Sequence, residues 1–252
     1  MRFAYDIIGS RKKAVAIVEI PAGADEKEIA EEILRRHKNV KSVLKKISPR
    51  KGGYRLRECE LIAGDKNTEV VHKEYGYLLK LDPRLVYFSS REGTERQRIV
   101  KKVKTKETIL VMFSGIAPYA IAIAKARPKT KITCVEINPI AAKYAEYNIK
   151  LNKLKNIESF CSDIRDCRDL GKFDRVIMPL PEKAYEYLDI AFACARKGAA
   201  IHLYGISPPE ELEKRIKEIA QIYKIKYKII KIANVLPFGV RKWKIRLDIK
   251  IL

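Results

Sequence analysis

The sequence lacks the cysteine and histidine patterns that are typical of a disulfide framework or a metal site. Its five cysteines are odd in number and never occur in C-x-x-C spacing, and its three histidines lie far apart. We therefore expect reduced thiols in a cytoplasmic protein, with no zinc or other metal site. The sequence also lacks an uncharged apolar run approaching about eighteen residues and a cleavable signal at its start. We expect neither a membrane-spanning nor an exported protein.

Acidic residues are few relative to basic ones. The 252 residues include 53 Lys and Arg against 31 Asp and Glu, which gives a formal net charge of +22. Much of the lysine, as in residues 101–106 and 214–228, alternates with apolar residues, which is typical of the wet faces of folded elements. An excess this large favours a polyanionic partner, of which nucleic acid is the commonest. The alternative is a lysine-rich surface without such a partner.

The first hundred residues predict a small α+β domain. An amphipathic helix places Ile29, Ile33 and Leu34 on one side, where they can pack against strands. We place the domain boundary near a later charged helix, with residues 1–95 in the first domain and residues 96–252 in the second. The predicted elements are strand Ala14–Ile20, helix Asp25–His37, extended segments Val40–Ile47 and Arg55–Ile62, strand Thr68–Leu81 and helix Arg91–Lys104.

The rest of the chain predicts a doubly wound α/β domain. Strands and helices alternate, which implies a parallel sheet with right-handed crossovers. The chain then ends in two strands that are close in sequence, as in class I, Rossmann-like, S-adenosylmethionine-dependent methyltransferases. The predicted strands are Ile109–Phe113, Ile132–Glu136, Ile157–Cys161, Phe173–Met178, Ala199–Tyr204, Lys224–Val235 and Trp243–Ile251, and the predicted helices are Tyr119–Lys125, Pro139–Leu151, Ala184–Arg196 and Pro208–Tyr223.

The segment Ile109–Pro139 is typical of a nucleoside site. An apolar strand leads into the small-residue turn Ser114-Gly115, where backbone can approach a ligand closely, and Glu136 follows about twenty residues later, where a carboxylate binds a ribose diol. Ala117 stands where a dinucleotide fingerprint would have a second glycine. The pattern therefore fits S-adenosylmethionine, which has no pyrophosphate. The alternative is an ordinary β-α-β unit without a ligand.

Suitable chemistry follows four of the predicted strands. Ligands of open α/β sheets bind outside the carboxyl ends of the strands. After the Ser114-Gly115 turn, the second strand offers Glu136 and Asn138 for a ribose, and the third offers Asp163 for an adenine amino group. The fourth ends at the corner Pro179–Pro181. Each acid alone could be solvent-facing or a helix cap, but their joint position favours one site.

Seven short motifs distributed over both predicted domains carry a resemblance to a known family. They are Gly53–Glu58 (GYRLRE), Gly64 with Thr68-Glu69, His72–Gly76 (HKEYG), Val86–Ser89 (VYFS), Thr94-Glu95-Arg96, Glu136–Pro139 (EINP) and Ser162–Arg165 (SDIR). Through them nearly the whole chain resembles the archaeal and eukaryotic tRNA (guanine-37 N1)-methyltransferases. The resemblance implies S-adenosylmethionine as cofactor and the anticodon stem-loop of tRNA, at purine-37, as partner.

The chemistry of that family gives two residues a role. Methylation of guanine N1 removes a proton while negative charge gathers on O6, so a general base and a cation are needed on one edge of the base. By motif match, Glu95 is the base and Arg55 is the partner of O6. Without the resemblance, Arg55 would be an ordinary strand residue and Glu95 an acid on a helix surface.

The strand ends and the resemblance together predict a complete site. The family usually carries a further N-terminal domain that binds the outer corner of tRNA, and here we expect that contact to be missing or supplied otherwise. The predicted cofactor-binding residues are Tyr87, Phe88, Arg96, Met112, Phe113, Ser114, Gly115, Glu136, Ile137, Asn138, Asp163, Ile164 and Pro179. The predicted pocket for the substrate base consists of Arg55, Glu95, Pro179, Leu180 and Pro181.

The sequence departs from the family pattern at three places. Val111 and Ala117 stand where the family has an acid and a glycine, and Pro179–Pro181 replaces an Asn-x-Pro corner. The last change resembles an archaeal subgroup that also methylates C7 of 4-demethylwyosine at position 37, a step in wyosine biosynthesis, so we expect both activities.

Two other functions stay open at this point. One is transfer of the aminocarboxypropyl group to 4-demethylwyosine. The relatives that carry out this reaction lack the equivalents of Arg55 and Glu95, so the presence of both residues here favours methyl transfer. The other is RNA binding without catalysis, in a protein that kept the fold after losing the acid at position 111.

Overall fold

The computed structural model describes residues 3–49, 52, 54, 56–167, 169–206, 208–239 and 242–252. These residues form a four-stranded sheet, a two-stranded hairpin and a seven-stranded sheet, with helices packed against them. Among them, no helix is both long and apolar enough to cross a bilayer. Arg55, the predicted partner of O6, lies outside the described residues.

The N-terminal sheet has the strand order β1-β2-β3-β4, with β2 and β3 parallel and the other pairs antiparallel. Helix α1 begins where the Asp25 side chain accepts hydrogen bonds from the first-turn amides, and it buries Ile29, Ala30 and Ile33. Strand β1 was not predicted from the sequence. The elements are β1 (Tyr5–Gly9), β2 (Ala14–Val18), α1 (Glu26–Arg36), β3 (Val40–Lys46) and β4 (Cys59–Gly64).

The single strand predicted over Thr68–Leu81 is wrong, because the chain reverses there into a hairpin of β5 (Val70–Glu74) and β6 (Tyr77–Leu81). The reversal is made by Tyr75 and Gly76, with φ values of 40° and 84°. Both lie in the left-handed region that a tight hairpin turn requires. The reversal contains a single glycine and no proline, so the sequence pattern does not mark the turn.

Helix α2 (Gly93–Lys102) follows a 3-10 turn over Ser90–Glu92, within the helix predicted at Arg91–Lys104. It is attached to the hairpin by a buried ion pair. The Nε and Nη2 atoms of Arg96 donate to the two carboxylate oxygens of Glu74 at 2.8 and 2.5 Å. The two parallel hydrogen bonds fix the orientation of the guanidinium relative to the carboxylate, in addition to pairing their charges. The domain division at residue 95 stays a prediction.

The large sheet has the strand order β12-β13-β11-β10-β7-β8-β9, parallel except for β13, which is antiparallel to both neighbours. This confirms the prediction of a class I methyltransferase fold. Its elements are β7 (Thr108–Met112), α3 (Pro118–Ala126), β8 (Lys131–Glu136), α4 (Pro139–Leu151), β9 (Ile157–Cys161), β10 (Phe173–Met178), α5 (Leu188–Cys194), β11 (Ala195–Gly205), α6 (Pro209–Ile222), β12 (Tyr227–Gly239) and β13 (Lys242–Ile251).

Two predicted elements differ in the structure. The helix expected over Ala184–Arg196 is a 3-10 turn at Ala184–Tyr187 followed by the short α5, and β11 begins before the predicted start at Ala199. The segment 196–198 (RKG) has the composition of a loop, but it belongs to the first part of β11.

The two faces of the large sheet are covered by different layers. Along β7, Ile109 and Val111 pack in the core shared with α2, α3 and the hairpin, while Leu110 and Met112 pack in the core shared with α5 and α6. Successive strand residues point to opposite faces, which explains the alternation. The first core also contains Ile8 and Val15 of the small sheet, so apolar packing is continuous between the two parts of the chain.

Charged side chains lie between segment 92–107, which contains α2, and strands β10, β11 and β13. Most of these groups are buried, and we call them the ion-pair seam. A buried charge is tolerated only when it is paired, so the pairs that join the segment to the sheet limit how the segment can sit there. These pairs are Glu92–Lys244 at 2.7 Å, Glu95–Arg246 and Glu107–Arg175 at 2.8 Å. Within the sheet, Asp248 pairs with Arg246 at 2.7 Å and makes a hydrogen bond of 2.6 Å with His202.

The Glu74–Arg96 pair predicts a stability difference that depends on pH. Burial raises the pKa of Glu74, but Arg96, His72 and Tyr77 lower it by more, from 4.5 to about 2. Glu74→Gln leaves the guanidinium of Arg96 buried without its carboxylate, so we expect a loss of about 3 kcal/mol in unfolding free energy at pH 7. Urea denaturation measures this loss, and the exposed Glu146→Gln is the control.

The sign of the pH effect follows from the lowered pKa. The contribution of Glu74 is fully present above its unfolded pKa of 4.5 and is lost as the pH falls toward about 2. The wild-type advantage over Glu74→Gln should therefore shrink between about pH 5 and pH 3. A difference that stays constant over this range would contradict the assignment.

Candidate functional site

An open cleft lies at the carboxyl ends of β7, β8 and β10. This is the place where open α/β sheets bind ligands. Its lining residues are Tyr54, Tyr87, Phe88, Ser89, Glu92, Arg96, Phe113, Ser114, Gly115, Pro118, Tyr119, Glu136, Ile137, Asn138, Ala141, Pro179 and Leu180.

The turn after β7 forms one wall of the cleft. Phe113, Gly115 and Ala117 have φ values of 52°, 56° and 64°, so the chain turns sharply through the left-handed region. Helix α3 starts directly behind this turn with Pro118, whose fixed φ suits a first helical position. The turn therefore brings backbone to the cleft, as predicted for a nucleoside site.

Glu136 is fixed by backbone amides at the end of β8. Its Oε2 accepts from the amide of Gly115 at 2.7 Å, and its Oε1 accepts from the amide of Asn138 at 2.8 Å. Burial raises the pKa of Glu136 above the ordinary glutamate value, and these amides oppose the rise. The carboxylate thus joins the β7 turn to the start of α4 and lines the cleft between them.

Asn138 has a structural role beside Glu136. Its Oδ1 accepts from the amides of Ile140 and Ala141 and caps helix α4. Because the oxygen is committed to the helix, the side-chain amide group is what remains for a ligand. The predicted contact between Asn138 and a ribose stays a prediction.

Arg96 lines the cleft, but its charge is already committed. It donates to Glu74 and also to the carbonyl of Ser89 at 3.1 Å. Its guanidinium carbon lies 5.2 Å from the ring centre of Phe88, within the range of a cation–π contact. Arg96 therefore holds the Phe88–Ser89 wall in place.

Glu95 does not line the cleft. Its carboxylate is 2% exposed, so its interpretation as an acid on a helix surface is wrong. Tyr204 Oη donates to Glu95 Oε1 at 2.7 Å, and Arg246 Nη1 donates to the same oxygen. Glu95 thus lies in the ion-pair seam, next to the cleft rather than in it.

Four other predicted residues also lie outside the lining. Met112 and Ile164 are buried in the core layer of α5 and α6, because strand alternation turns Met112 away from the cleft. Asp163 pairs with Arg165, and this pair lowers the pKa of its carboxyl group. Pro181 is buried. The ligand-binding roles of these residues, like that of Arg55, stay predictions.

Several lining residues were missed by the sequence reasoning. The most notable is Glu92, which looks like a surface acid in the sequence because its partner Lys244 is 152 residues away. Tyr119 begins an apolar helix, and its sequence context does not distinguish it from the other residues of that helix. The other missed residues are Tyr54, Ser89, Pro118 and Ala141.

Two hydroxyl groups in the lining residues have no hydrogen-bond partner. They are Ser114 Oγ and Tyr119 Oη, and both are buried among the described residues. Most buried polar groups in proteins are paired, so unpaired hydroxyls beside a cleft indicate partners that a ligand would supply. In the described part of the chain, no group of three or more His, Cys, Asp or Glu side chains could hold a metal ion.

Two family models match the sequence. One, described as the TRM5/TYW2 methyltransferase domain, matches residues 70–230, and the other, described as the TYW2 N-terminal domain, matches residues 2–68.

Curated relatives in archaea cover most of the chain. The tRNA (guanine(37)-N(1))-methyltransferase Trm5b of Pyrococcus abyssi is 40% identical over 98% of this chain and 74% of its own length. The tRNA (guanine(37)-N(1))/4-demethylwyosine(37)-methyltransferase Taw22 of Nanoarchaeum equitans is 32% identical over 98% and 99%. The tRNA(Phe) (4-demethylwyosine(37)-C(7)) aminocarboxypropyltransferase of Methanocaldococcus jannaschii is 31% identical over 99% and 98%.

Solved structures agree with these matches. Trm5b from Pyrococcus abyssi superposes with a TM-score of 0.87 at 39% identity, covering 98% of this chain and 74% of that one. The complex of aTrm5 and tRNALeu has a TM-score of 0.86 at 36% identity, covering 99% of this chain and 72% of that one. TYW2 of M. jannaschii in complex with AdoMet gives 0.74 at 26% identity, covering 98% and 99%. The resemblance seen in the motifs is thereby confirmed, and the chain belongs to the TRM5/TYW2 methyltransferase family.

Proposed function

We propose that the chain is a tRNA methyltransferase that uses S-adenosylmethionine to methylate N1 of guanosine-37. The observation that carries the proposal is the cleft at the ends of β7, β8 and β10, in which amides hold the Glu136 carboxylate in the place of a ribose-binding acid. The named activities of Trm5b and Taw22 support the reaction. The aTrm5 complex supports tRNA as partner.

The residues present fit this donor. Glu136 is placed to accept hydrogen bonds from a ribose diol, and Ile137 offers an apolar edge beside it for a purine. The unpaired hydroxyls of Ser114 and Tyr119 can bond polar groups of a ligand. When bound, S-adenosylmethionine supplies an electrophilic methyl group on a sulfonium.

The acceptor base is proposed to enter over Pro179 and Leu180. These residues follow β10, which lies beside β7 in the sheet, and they line the same cleft as Tyr54 of the small domain. A corner without a side-chain amide places few polar restraints on the base. This supports methylation of C7 of 4-demethylwyosine as a second reaction, as the name of Taw22 states for that relative.

The proton of guanine N1 is proposed to go to Glu95, with Arg55 stabilising the charge on O6. In the structure Arg246 and Tyr204 hold the Glu95 carboxylate beside the cleft. The proposal therefore requires Glu95 to exchange Arg246 for the substrate base when RNA binds. The cation at O6 then compensates the charge that develops as the proton leaves.

The alternative function is aminocarboxypropyl transfer to 4-demethylwyosine-37. Two observations favour it: residues 2–68 match the TYW2 N-terminal domain, and the aminocarboxypropyltransferase relative matches over nearly its whole length. Both reactions use the same donor and differ in which carbon next to sulfur faces the acceptor.

The proposal includes the setting in which the protein works. The excess of 53 basic over 31 acidic residues suits an RNA partner through counterion release. The odd number of cysteines, five, suits a cytoplasmic location, where tRNA would be met.

Transfer of label distinguishes the two reactions. The chain is incubated with tRNA carrying guanosine-37, and separately with tRNA carrying 4-demethylwyosine, using S-adenosylmethionine labelled either in the methyl or in the carboxyl group. We expect methyl label in both RNAs and no carboxyl label in either. Carboxyl label in RNA would establish the alternative, and no label at all would indicate a non-catalytic RNA-binding protein.

Glu95→Gln tests the proposed base. Under single-turnover conditions, with donor and tRNA saturating, we expect methyl transfer to guanosine N1 to slow by about a hundredfold or more, as for a lost general base. The exposed Glu158→Gln is the matched control and should keep the wild-type rate. A wild-type rate in Glu95→Gln would remove Glu95 from the mechanism.

Glu136→Gln tests the ribose contact. We expect wild type to bind S-adenosylhomocysteine about tenfold more tightly than its 2′-deoxy analogue, and Glu136→Gln to bind both equally, because the charge-assisted bond is lost. Since the pKa of Glu136 is raised, wild-type affinity should also fall earlier on acidification than an ordinary glutamate predicts. Titration calorimetry measures both effects. If Glu136→Gln still binds S-adenosylhomocysteine about tenfold more tightly than the 2′-deoxy analogue, the contact between Glu136 and the ribose is excluded.

A further inference from the structure

We propose that Glu92 and Tyr119 hold the amino-acid end of the methyl donor, Glu92 through the ammonium group and Tyr119 through the carboxylate. The inference rests on the proposed function and adds to it a part of the site that none of the motifs indicates. It starts from two groups in the cleft that the fold alone does not explain: a buried carboxylate and a buried phenol without a partner.

The Glu92 carboxylate is ionised and still has capacity to accept hydrogen bonds. Burial raises its pKa, but Lys244, Arg96 and Tyr87 together lower it by more, so the group carries its charge inside the protein. Lys244 Nζ donates to Oε2 at 2.7 Å, and Tyr87 Oη donates to Oε1 at 3.2 Å. A carboxylate has about four acceptor positions, so these two bonds leave room for an ammonium group.

The phenol of Tyr119 lies beside this carboxylate. It is 4% exposed, its hydroxyl has no partner in hydrogen-bond geometry among the described residues, and the neighbouring hydroxyl of Tyr204 donates its own proton to Glu95. Burial, and next the charge of Glu92, raise the pKa of Tyr119 well above its ordinary value, so it remains a phenol and can donate. A buried hydroxyl without a partner costs stability, and a ligand that accepts its hydrogen bond removes that cost.

The strands that the two residues contact lie on one side of β7 and β10 in the sheet, and the strand that ends at Glu136 lies on the other. Lys244 of β13 binds Glu92, and the ring of Tyr204 of β11 is 6.0 Å from that of Tyr119. Glu136 ends β8, which is separated from β11 by β7 and β10. This separation corresponds to about 14 Å at the usual strand spacing, comparable with the extent of a donor from ribose to amino group.

This arrangement places the middle of the donor at β7 and β10. The Pro179–Leu180 corner follows β10, so a group midway between the two acids lies next to the proposed site of the acceptor base. With the ribose at Glu136 and the ammonium at Glu92, the methyl group on sulfur falls in that middle region. Holding both ends therefore selects the methyl carbon for transfer.

The charges of the cleft support the same assignment. Its lining contains two carboxylates, Glu92 and Glu136, and one cation, Arg96, whose charge is committed to Glu74. A sulfonium with an ammonium group is a cationic ligand that suits two acids. Val111 has no carboxyl group and is buried in the core on one face of the sheet, outside the lining of the cleft. With Glu136 assigned to the ribose, Glu92 is the lining carboxylate that remains for the ammonium group.

Binding of three probes tests the proposal by titration calorimetry: S-adenosylmethionine, its decarboxylated form, which keeps the amine, and 5′-methylthioadenosine, which lacks the amino-acid end. We expect Glu92→Gln to weaken the binding of S-adenosylmethionine and of its decarboxylated form at least tenfold, as for a lost bond to a charged group. Binding of 5′-methylthioadenosine should not change. We expect Tyr119→Phe to weaken only S-adenosylmethionine severalfold. The double variant Glu92→Gln/Lys244→Met, which removes both charges of this ion pair, should behave as Glu92→Gln does.

Thermal unfolding of the free protein adds a readout that a merely structural role would not give. Tyr119→Phe removes an unpaired hydroxyl, so the melting temperature should stay the same or rise while donor affinity falls. Tyr144→Phe is the matched control: its hydroxyl donates to Glu69 at 2.8 Å outside the cleft, so it should lower the melting temperature and keep donor affinity.

The outcomes separate this proposal from the proposed function. If wild type binds none of the three probes, the donor itself is wrong and the proposed function fails. If wild type binds S-adenosylmethionine and the Glu92 variants bind it equally well, the function stands and the assignment of Glu92 is overturned. Equal weakening of all three probes, 5′-methylthioadenosine included, would also overturn it, because Glu92 would then act only through the fold.

Discussion

The pairing of buried charges beneath helix α2 is the constraint on which the site depends. Acids of segment 92–107 meet bases of β10 and β13 inside the protein, and each group that lost its partner would be an uncompensated buried charge. The segment therefore has one position on the sheet. That position places the Glu92 side chain in the lining of the cleft and the Glu95 side chain next to the cleft.

The same constraint connects the two parts of the chain. Arg96 reaches from α2 to Glu74 of the hairpin, and the hairpin packs in one apolar core with the small sheet. The small domain, which contributes Tyr54 to the cleft, is thus oriented by the helix that lies over the ion-pair seam. Acceptor and donor sides of the site are held by one element, which gives the chain a means of aligning a bulky base with a methyl group.

The sequence predicted the central fold well, because its apolar runs are separated by clear turns. Pro139–Leu151, Ile157–Cys161 and Phe173–Met178 have the predicted bounds in the structure. It failed at the Tyr75–Gly76 reversal, which a single glycine does not mark as a turn. In the site, local motifs indicated Gly115 and Glu136, which lie in one β-α-β unit. Glu92 was not predicted as a site residue, because its burial depends on the ion pair with Lys244, 152 residues later. No local sequence pattern indicates such a pair.

The central claim is that one cleft aligns a methyl donor with the base at position 37. A structure of the chain with sinefungin and a guanosine-37 anticodon stem-loop tests it most directly. We predict the ribose at Glu136, the amino group at Glu92, and guanine N1 about 3–3.5 Å from the amine that replaces the methyl group, the distance needed for direct transfer. A base bound outside the cleft, or a donor whose aminocarboxypropyl carbon faces the base instead, would contradict the account.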